Sequence, residues 1–153
     1  MKKPNLKKYK SEVSKLKRSE DILWTQNSSP IMLMKNLSRS IDKIICEIWG
    51  LHSLSQKACL IAIGGFGRGE LAPHSDIDLQ ILIFNNHVED DLSSSISNFI
   101  ATLWDIGLEA GHSVRTVNET INLANEDTTV ATSLLELRFM AGKKILFNQL
   151  KKR

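Results

Sequence analysis

Cysteine, histidine, aromatic residues and long apolar runs are all scarce in this chain of 153 residues, which has two Cys, four His and 6% Phe, Trp and Tyr. Cys46 and Cys59 lack metal-site spacing and fall in apolar segments. That excludes a Cys-based zinc site and predicts two buried thiols of a reducing cytoplasm. The histidines (His52, His74, His87 and His112) are scattered singly, with no His-Asp pair to hold a metal. The longest aliphatic run, Ala58-Cys59-Leu60-Ile61-Ala62-Ile63, falls far short of the roughly 20 residues that a membrane-spanning helix needs. No apolar core follows the lysine-rich start, so an export signal is not expected either. No repeat and no low-complexity tract breaks the sequence.

What is present is ordinary in bulk and uneven in layout. With 42% hydrophobic and 24% charged residues the composition is that of a globular domain. A chain of this length buries about two-thirds of its unfolded surface as one domain. The net charge of +3 conceals basic ends and an acidic middle. Residues 1–18 carry eight Lys/Arg against one acid, residues 143–153 carry five against none, and residues 19–142 are left at −9. Without interleaved aromatics the basic ends read as solvated or partner-facing rather than nucleic-acid binding, and the acidic middle favours cations.

Hydrophobic periodicity divides the chain into a basic helical extension over 1–29 and a domain over 30–150. A basic helix over 3–24 runs into the polar cluster Thr25-Gln26-Asn27-Ser28-Ser29-Pro30, which supplies an N-cap with Pro at the first helical position. The next helix, about 30–49, carries Met34, Leu37, Ile41, Ile44, Ile45 and Ile48 on one stripe and is expected to end at Gly50. Ala58–Ile63 reads as a central strand, being apolar throughout. Strand 77–84, helix 89–106 (Leu92, Ile96, Phe99, Ile100 and Leu103 inward, Gly107 as its stop) and strand 108–117 follow. Helices are expected over 117–125 and 128–142. The order predicts an α/β (α+β) domain, a small sheet covered by helices.

The most informative stretch runs from Gly64-Gly65-Phe66-Gly67-Arg68-Gly69-Glu70-Leu71 through Ser75-Asp76-Ile77-Asp78-Leu79. Glycines let backbone amides approach a phosphate with no Cβ in the way. Asp76 and Asp78, at i and i+2, point to one face of a strand with Cα atoms roughly 6–7 Å apart. Carboxylates so placed can hold a pair of Mg²⁺ ions about 3.5–4 Å apart, the geometry that moves a nucleotidyl group. Either element alone is weak, a tight turn or a solvated charge pair. Together, with the acids set among Ile77, Leu79, Ile81 and Ile83, they need a cation or donors to meet them.

These residues resemble the nucleotidyltransferase superfamily, marked by Gly-Gly or Gly-Ser, a short gap and Asp-x-Asp/Glu. The nearer resemblance is to the N-terminal nucleotidyltransferase domain of the PII uridylyltransferase/uridylyl-removing enzyme family. It is carried also by Leu103-Trp104-Asp105-Ile106-Gly107-Leu108-Glu109-Ala110-Gly111-His112-Ser113-Val114-Arg115-Thr116 and, more weakly, by Ala131-Thr132-Ser133-Leu134-Leu135-Glu136-Leu137-Arg138 running to Ala141-Gly142. The resemblance implies a polymerase-beta-like nucleotidyltransferase fold with a mixed sheet. It further implies Mg²⁺, UTP as donor and a tyrosine of the PII signalling protein as acceptor. Gly64, Gly65 and Ser75 would cradle the phosphates, and Asp76 and Asp78 would bind the metals. Arg68 is either a phosphate contact or a structural partner of Glu70 or another acid.

The chain departs from the family's pattern in two ways. Many superfamily members add a third metal carboxylate on the next strand, where this chain reads His112-Ser113-Val114-Arg115. Glu109 shares a face with Ser113, and His112 reads as a core histidine. The resembled enzymes also continue into a phosphohydrolase domain that removes UMP and into glutamine-sensing domains, so a truncated form is expected, without uridylyl removal. The alternatives are a stand-alone nucleotidyltransferase that adenylylates another protein, or an inactive domain.

Overall fold

The computed structural model describes residues 5–24, 29–86 and 89–152. The cluster Thr25-Gln26-Asn27-Ser28, His87 and Arg153 lie outside the described residues. The chain folds as helices α1 (Leu6–Trp24) and α2 (Pro30–Leu51), strand β1 (Cys59–Ala62), the short helix α3 (Gly64–Gly67) and strand β2 (Ile77–Ile83). Helix α4 (Asp90–Asp105), strand β3 (Ala110–Thr116), helices α5 (Val117–Glu126) and α6 (Thr128–Leu134), strand β4 (Arg138–Gly142) and helix α7 (Lys144–Lys151) complete it. The sheet runs β3-β2-β1-β4, with β1 antiparallel to both neighbours and β2 parallel to β3. The expected α/β (α+β) class, a small mixed sheet with covering helices, is what forms. Among the described residues no helix is long and apolar enough to cross a membrane.

Alternation along the strands splits the core in two. Leu60 and Ala62 of β1 and Leu79, Ile81 and Ile83 of β2 join the stripe of α2 and the inward residues of α4 in the larger cluster. Every residue expected inward on α4 is buried there. Cys59, Ile61 and Leu82 point the other way, onto Leu146, Phe147 and Leu150 of α7. Tyr9 and Val13 of α1 are buried in the larger cluster as well. Pro30 opens α2 at its first turn, while Gly50 lies inside the helix rather than ending it. At the start of α5, Thr116 and Glu119 form a reciprocal capping box, and the two Thr116 contacts hold the Glu119 carboxyl below its usual range.

Two segments depart from the expected element order. The segment read as one helix over 128–142 is α6 followed by β4, because residues 138–142 pair along the open side of β1 instead of continuing α6. Leu, Met and Ala favour a helix locally, and the pairing overrides that preference. The residues after Gly142, read only as a basic end, form α7 and bury an apolar face. Cys59 is buried as expected, and burial pushes its thiol up to about 12. Cys46 is only half-buried, its Sγ directed at the Met140 carbonyl oxygen at 3.7 Å.

Gly142 marks the turn from β4 into α7. Its φ is +91°, and a Cβ there would overlap the carbonyl oxygen of Ala58. Gly142→Ala is therefore expected to cost about 2–3 kcal/mol, lowering the thermal midpoint by roughly 5–10 °C. Thermal unfolding followed by far-UV circular dichroism checks this, and an unchanged midpoint would count against the β1–β4 register.

Candidate functional site

Buried β1 ends at Ala62, and the backbone turns at once into α3. The Ile63 amide donates to the Asp78 carbonyl at 3.1 Å, which sets the start of the glycine turn beside the start of β2. Gly64 has φ +57°, a left-handed conformation that L side chains rarely adopt. A Cβ there would also stand 3.4 Å from Asp78 Oδ2. On the other side, Gly111 of β3 is the register partner of Asp78, and a Cβ on it would stand 3.2 Å from Oδ1. The Asp78 carboxylate thus lies between two glycines, with Oδ2 toward the turn and Oδ1 toward β3.

Asp78 is exposed in a strand otherwise buried, and Asp76 precedes it on the same face. Both line one cavity of about 560 Å³, together with Trp104, Glu109 and Gly111. Burial first, and the charge of Asp76 second, push the Asp78 carboxyl above its ordinary value. None of the ion pairs among the described residues involves either aspartate. The two acids therefore border one cavity with no basic side chain paired to either among the described residues. The described residues contain no cluster of three or more His, Cys, Asp or Glu side chains able to hold a metal. Mg²⁺ does not require one, because it commonly binds through one or two carboxylates together with substrate phosphates and water. The two aspartates fit that ligand set.

The remaining expected residues are placed less uniformly. Gly65 has room above it, with an added Cβ 3.5 Å from Arg68 Nη2 and 3.7 Å from the Glu70 carbonyl oxygen. Arg68 is held by acids: Nε donates to Glu70 Oε2 at 3.3 Å and Nη1 donates to Glu136. These bonds, Glu136 first, raise its already high pKa. Ser75 is exposed and opens on a neighbouring crevice of about 30 Å³ with Leu71 and Ile77, not on the carboxylate cavity. His112 is not a core histidine. It is exposed on edge strand β3, its ring 6.0 Å from that of Trp104. Among the described residues the buried histidine is His52, whose Nε2 lies 3.1 Å from Thr102 Oγ1 and whose pKa burial lowers. Nor do residues 112–115 supply an acid facing Asp78: that position is Gly111, and Ser113 pairs with Gln80.

Sequence reasoning missed Arg138 as a part of the site. From β4 its Nη1 and Nη2 donate to Asp42 Oδ2 and Oδ1 of α2 at 2.8 and 3.0 Å. Nη2 and Nε also donate to the carbonyls of Phe66 and Gly67 at 2.9 and 3.2 Å, and the guanidinium sits 5.4 Å from the Phe66 ring centre. One side chain thereby ties α2, β4 and the far end of the glycine turn together. The only signal in the sequence was an arginine within an apolar stretch.

No protein-family model matches the chain. Over 117 residues it is 46% identical to the bifunctional uridylyltransferase/uridylyl-removing enzymes of Burkholderia thailandensis and of Burkholderia mallei. The match covers 76% of this chain, and the chain spans about 14% of the length of these curated relatives. At the coarse level the comparison carries, the chain contains a transferase-like region similar to part of known uridylyltransferases.

Two outcomes follow from this geometry. Removing the Arg138 fork takes the donors from Asp42 and from the Gly67 carbonyl, and leaves the Phe66 carbonyl with the Gly69 amide alone. Arg138→Ala should therefore cost about 2–3 kcal/mol, and Arg138→Lys should not restore it, since an ammonium cannot reproduce the fork; urea unfolding measures both. The raised pKa of Asp78 means that its ionised form is disfavoured in the folded state. That cost is absent below the unfolded carboxylate value of about 3.9 and fully developed above the folded value. In metal-free buffer Asp78→Asn should therefore be more stable than the parent near pH 7, with the gap closing as the pH falls through the carboxylate range. A gap that widened on acidification would show that Asp78 gains rather than loses on ionising in the fold.

Proposed function

We propose that the chain is a Mg²⁺-dependent nucleotidyltransferase that moves UMP from UTP to a tyrosine of a PII-type signalling protein. The observation that carries this reading is the carboxylate of Asp78, set between Gly64 and Gly111, lining a cavity it shares with Asp76 and paired with no basic side chain among the described residues. The uridylyltransferase activity named for the relatives supports UTP as the donor.

The transfer exchanges one bond for another. The acceptor oxygen bonds to the α-phosphorus while the bond from that phosphorus to the bridging oxygen breaks. Pyrophosphate leaves with the electron pair, and the acceptor's proton passes to solvent. Asp76 and Asp78 would hold Mg²⁺, which when bound supplies charge neutralisation along the phosphates. Gly64 and Gly65 bring backbone amides close to the triphosphate, as only residues without a Cβ allow. Ser75 opens on the neighbouring crevice and is left out of this step, and Arg68, beside Gly65, would reach a phosphate by exchanging Glu70 and Glu136 for it. The chain's contribution is position and electrostatics rather than a covalent intermediate.

Incubation of the chain with labelled UTP, Mg²⁺ and PII is the direct test, with the other three nucleoside triphosphates as competing donors. Label carried to PII from UTP in preference to ATP supports the reading; label from ATP alone would make the chain an adenylyltransferase. Asp76→Asn and Asp78→Asn should each weaken Mg-UTP binding by about 100-fold or more while the circular dichroism spectrum stays unchanged. Gly65→Val should fold, since its Cβ has room, yet lose UTP binding because the side chain takes the space of a phosphate. Calorimetric titration of UTP with Mg²⁺ reads all three, and parental affinity in both aspartate variants would remove the site assignment.

A further inference from the structure

Trp104 projects from the last turn of α4 at the rim of the carboxylate cavity, and its surface is 56% exposed. It is nevertheless held in place. Its Nε1 donates to the Ala110 carbonyl at 3.1 Å, and its ring meets His112 edge to face at 6.0 Å. An indole pinned by its only donor, with the ring left open to solvent, is a preformed aromatic surface of the kind that binding sites use. Nothing in the core needs it there, since the apolar face of α4 is already filled by Leu92, Ile96, Phe99, Ile100 and Leu103.

The two oxygens of Asp78 give the site a direction. Oδ2 faces Gly64 and the glycine turn, whereas Oδ1 faces Gly111 and the cavity that Trp104 borders. This step rests on the proposed function, in which the leaving pyrophosphate lies on the glycine turn. In phosphoryl-group transfer the attacking and leaving oxygens lie roughly in line on opposite sides of the phosphorus. The attacking oxygen must then arrive from the β3 side. We infer that the cavity between Asp78 and Trp104 is the acceptor pocket, and that Trp104 receives the aromatic ring of the acceptor tyrosine. The tyrosine hydroxyl attacks the α-phosphorus from that pocket, with the same exchange of bonds and the same release of pyrophosphate and proton as above. Trp104 is a positioning residue here: it orients the ring and takes no part in the bond exchange.

N-acetyl-L-tyrosinamide serves as the probe, followed by saturation-transfer NMR on the whole chain in the presence of Mg-UTP, with Mg-UTP affinity measured separately by calorimetry. The parent and Trp104→Phe should both transfer saturation to the tyrosine ring protons. Trp104→Ala should weaken the probe about 2- to 10-fold, the range of an aromatic pair, while its Kd for Mg-UTP stays within about twofold of the parent's. With PII as acceptor, the same variant should raise KM more than it lowers kcat, and Trp104→Phe should recover most of the loss. A Trp104→Ala variant that binds the probe like the parent overturns the inference. So does one whose Mg-UTP affinity falls tenfold, because the indole would then be stacking on the nucleobase. A parent that binds no Mg-UTP at all would instead remove the proposed function, and the acceptor pocket with it.

Discussion

The hydrogen bond from the Ile63 amide to the Asp78 carbonyl, 3.1 Å long, continues the β1–β2 ladder, and the candidate site hangs from it. Behind it the register Ala62↔Leu79, Ile61↔Gln80 and Leu60↔Ile81 is enforced from both faces, since Leu60, Ile61, Ala62 and Ile81 are completely buried. A slip of one residue would turn every one of these side chains to the wrong cluster. The same slip would carry Asp78 off the cavity face and move Gly64 away from its carboxylate. Packing energy and site geometry are therefore one constraint here, and the apolar strands hold two acids where acids alone would not stay.

The electrostatics of the site run against those of an ordinary surface. Elsewhere opposite charges find each other: Arg68 with Glu70 and Glu136, Arg138 with Asp42, Lys57 with Glu89 and Asp91. Asp76 and Asp78 take no part in such pairs among the described residues, and burial, then the charge of Asp76, raises the pKa of the Asp78 carboxyl. Strain of this kind persists only where the surrounding fold over-determines it, and it clusters where ligands bind. The cost to stability of an ionised Asp78 and its fitness to meet a cation are two readings of the same fact.

The two arginines show how far sequence reading reaches. Arg68 sits in the glycine run, so its presence near the site was legible, but both of its expected roles remained open until Glu136 arrived from 68 residues away. Arg138 lies in a segment whose local sequence favours a helix, and nothing beside it in the sequence marks a partner. Its partner Asp42 is 96 residues distant, and its carbonyl acceptors lie on the turn it braces. The third-carboxylate question was similar: only the β2–β3 register shows that a glycine, not one of residues 112–115, stands opposite Asp78.

By itself the sequence determined what is local or periodic. The stripe on α2, the inward face of α4, the apolar β1 and the alternation that sets Asp76 and Asp78 on one face all follow from spacings of two to four residues. So does the glycine turn, because its four glycines fall within residues 64–69. Only the tertiary structure decided that residues 138–142 leave a helical preference to become β4, that α7 covers the second face, and that Asp78 is held between Gly64 and Gly111 with one oxygen toward each. Those features depend on segments distant in the chain meeting at defined register, and no local propensity carries that information.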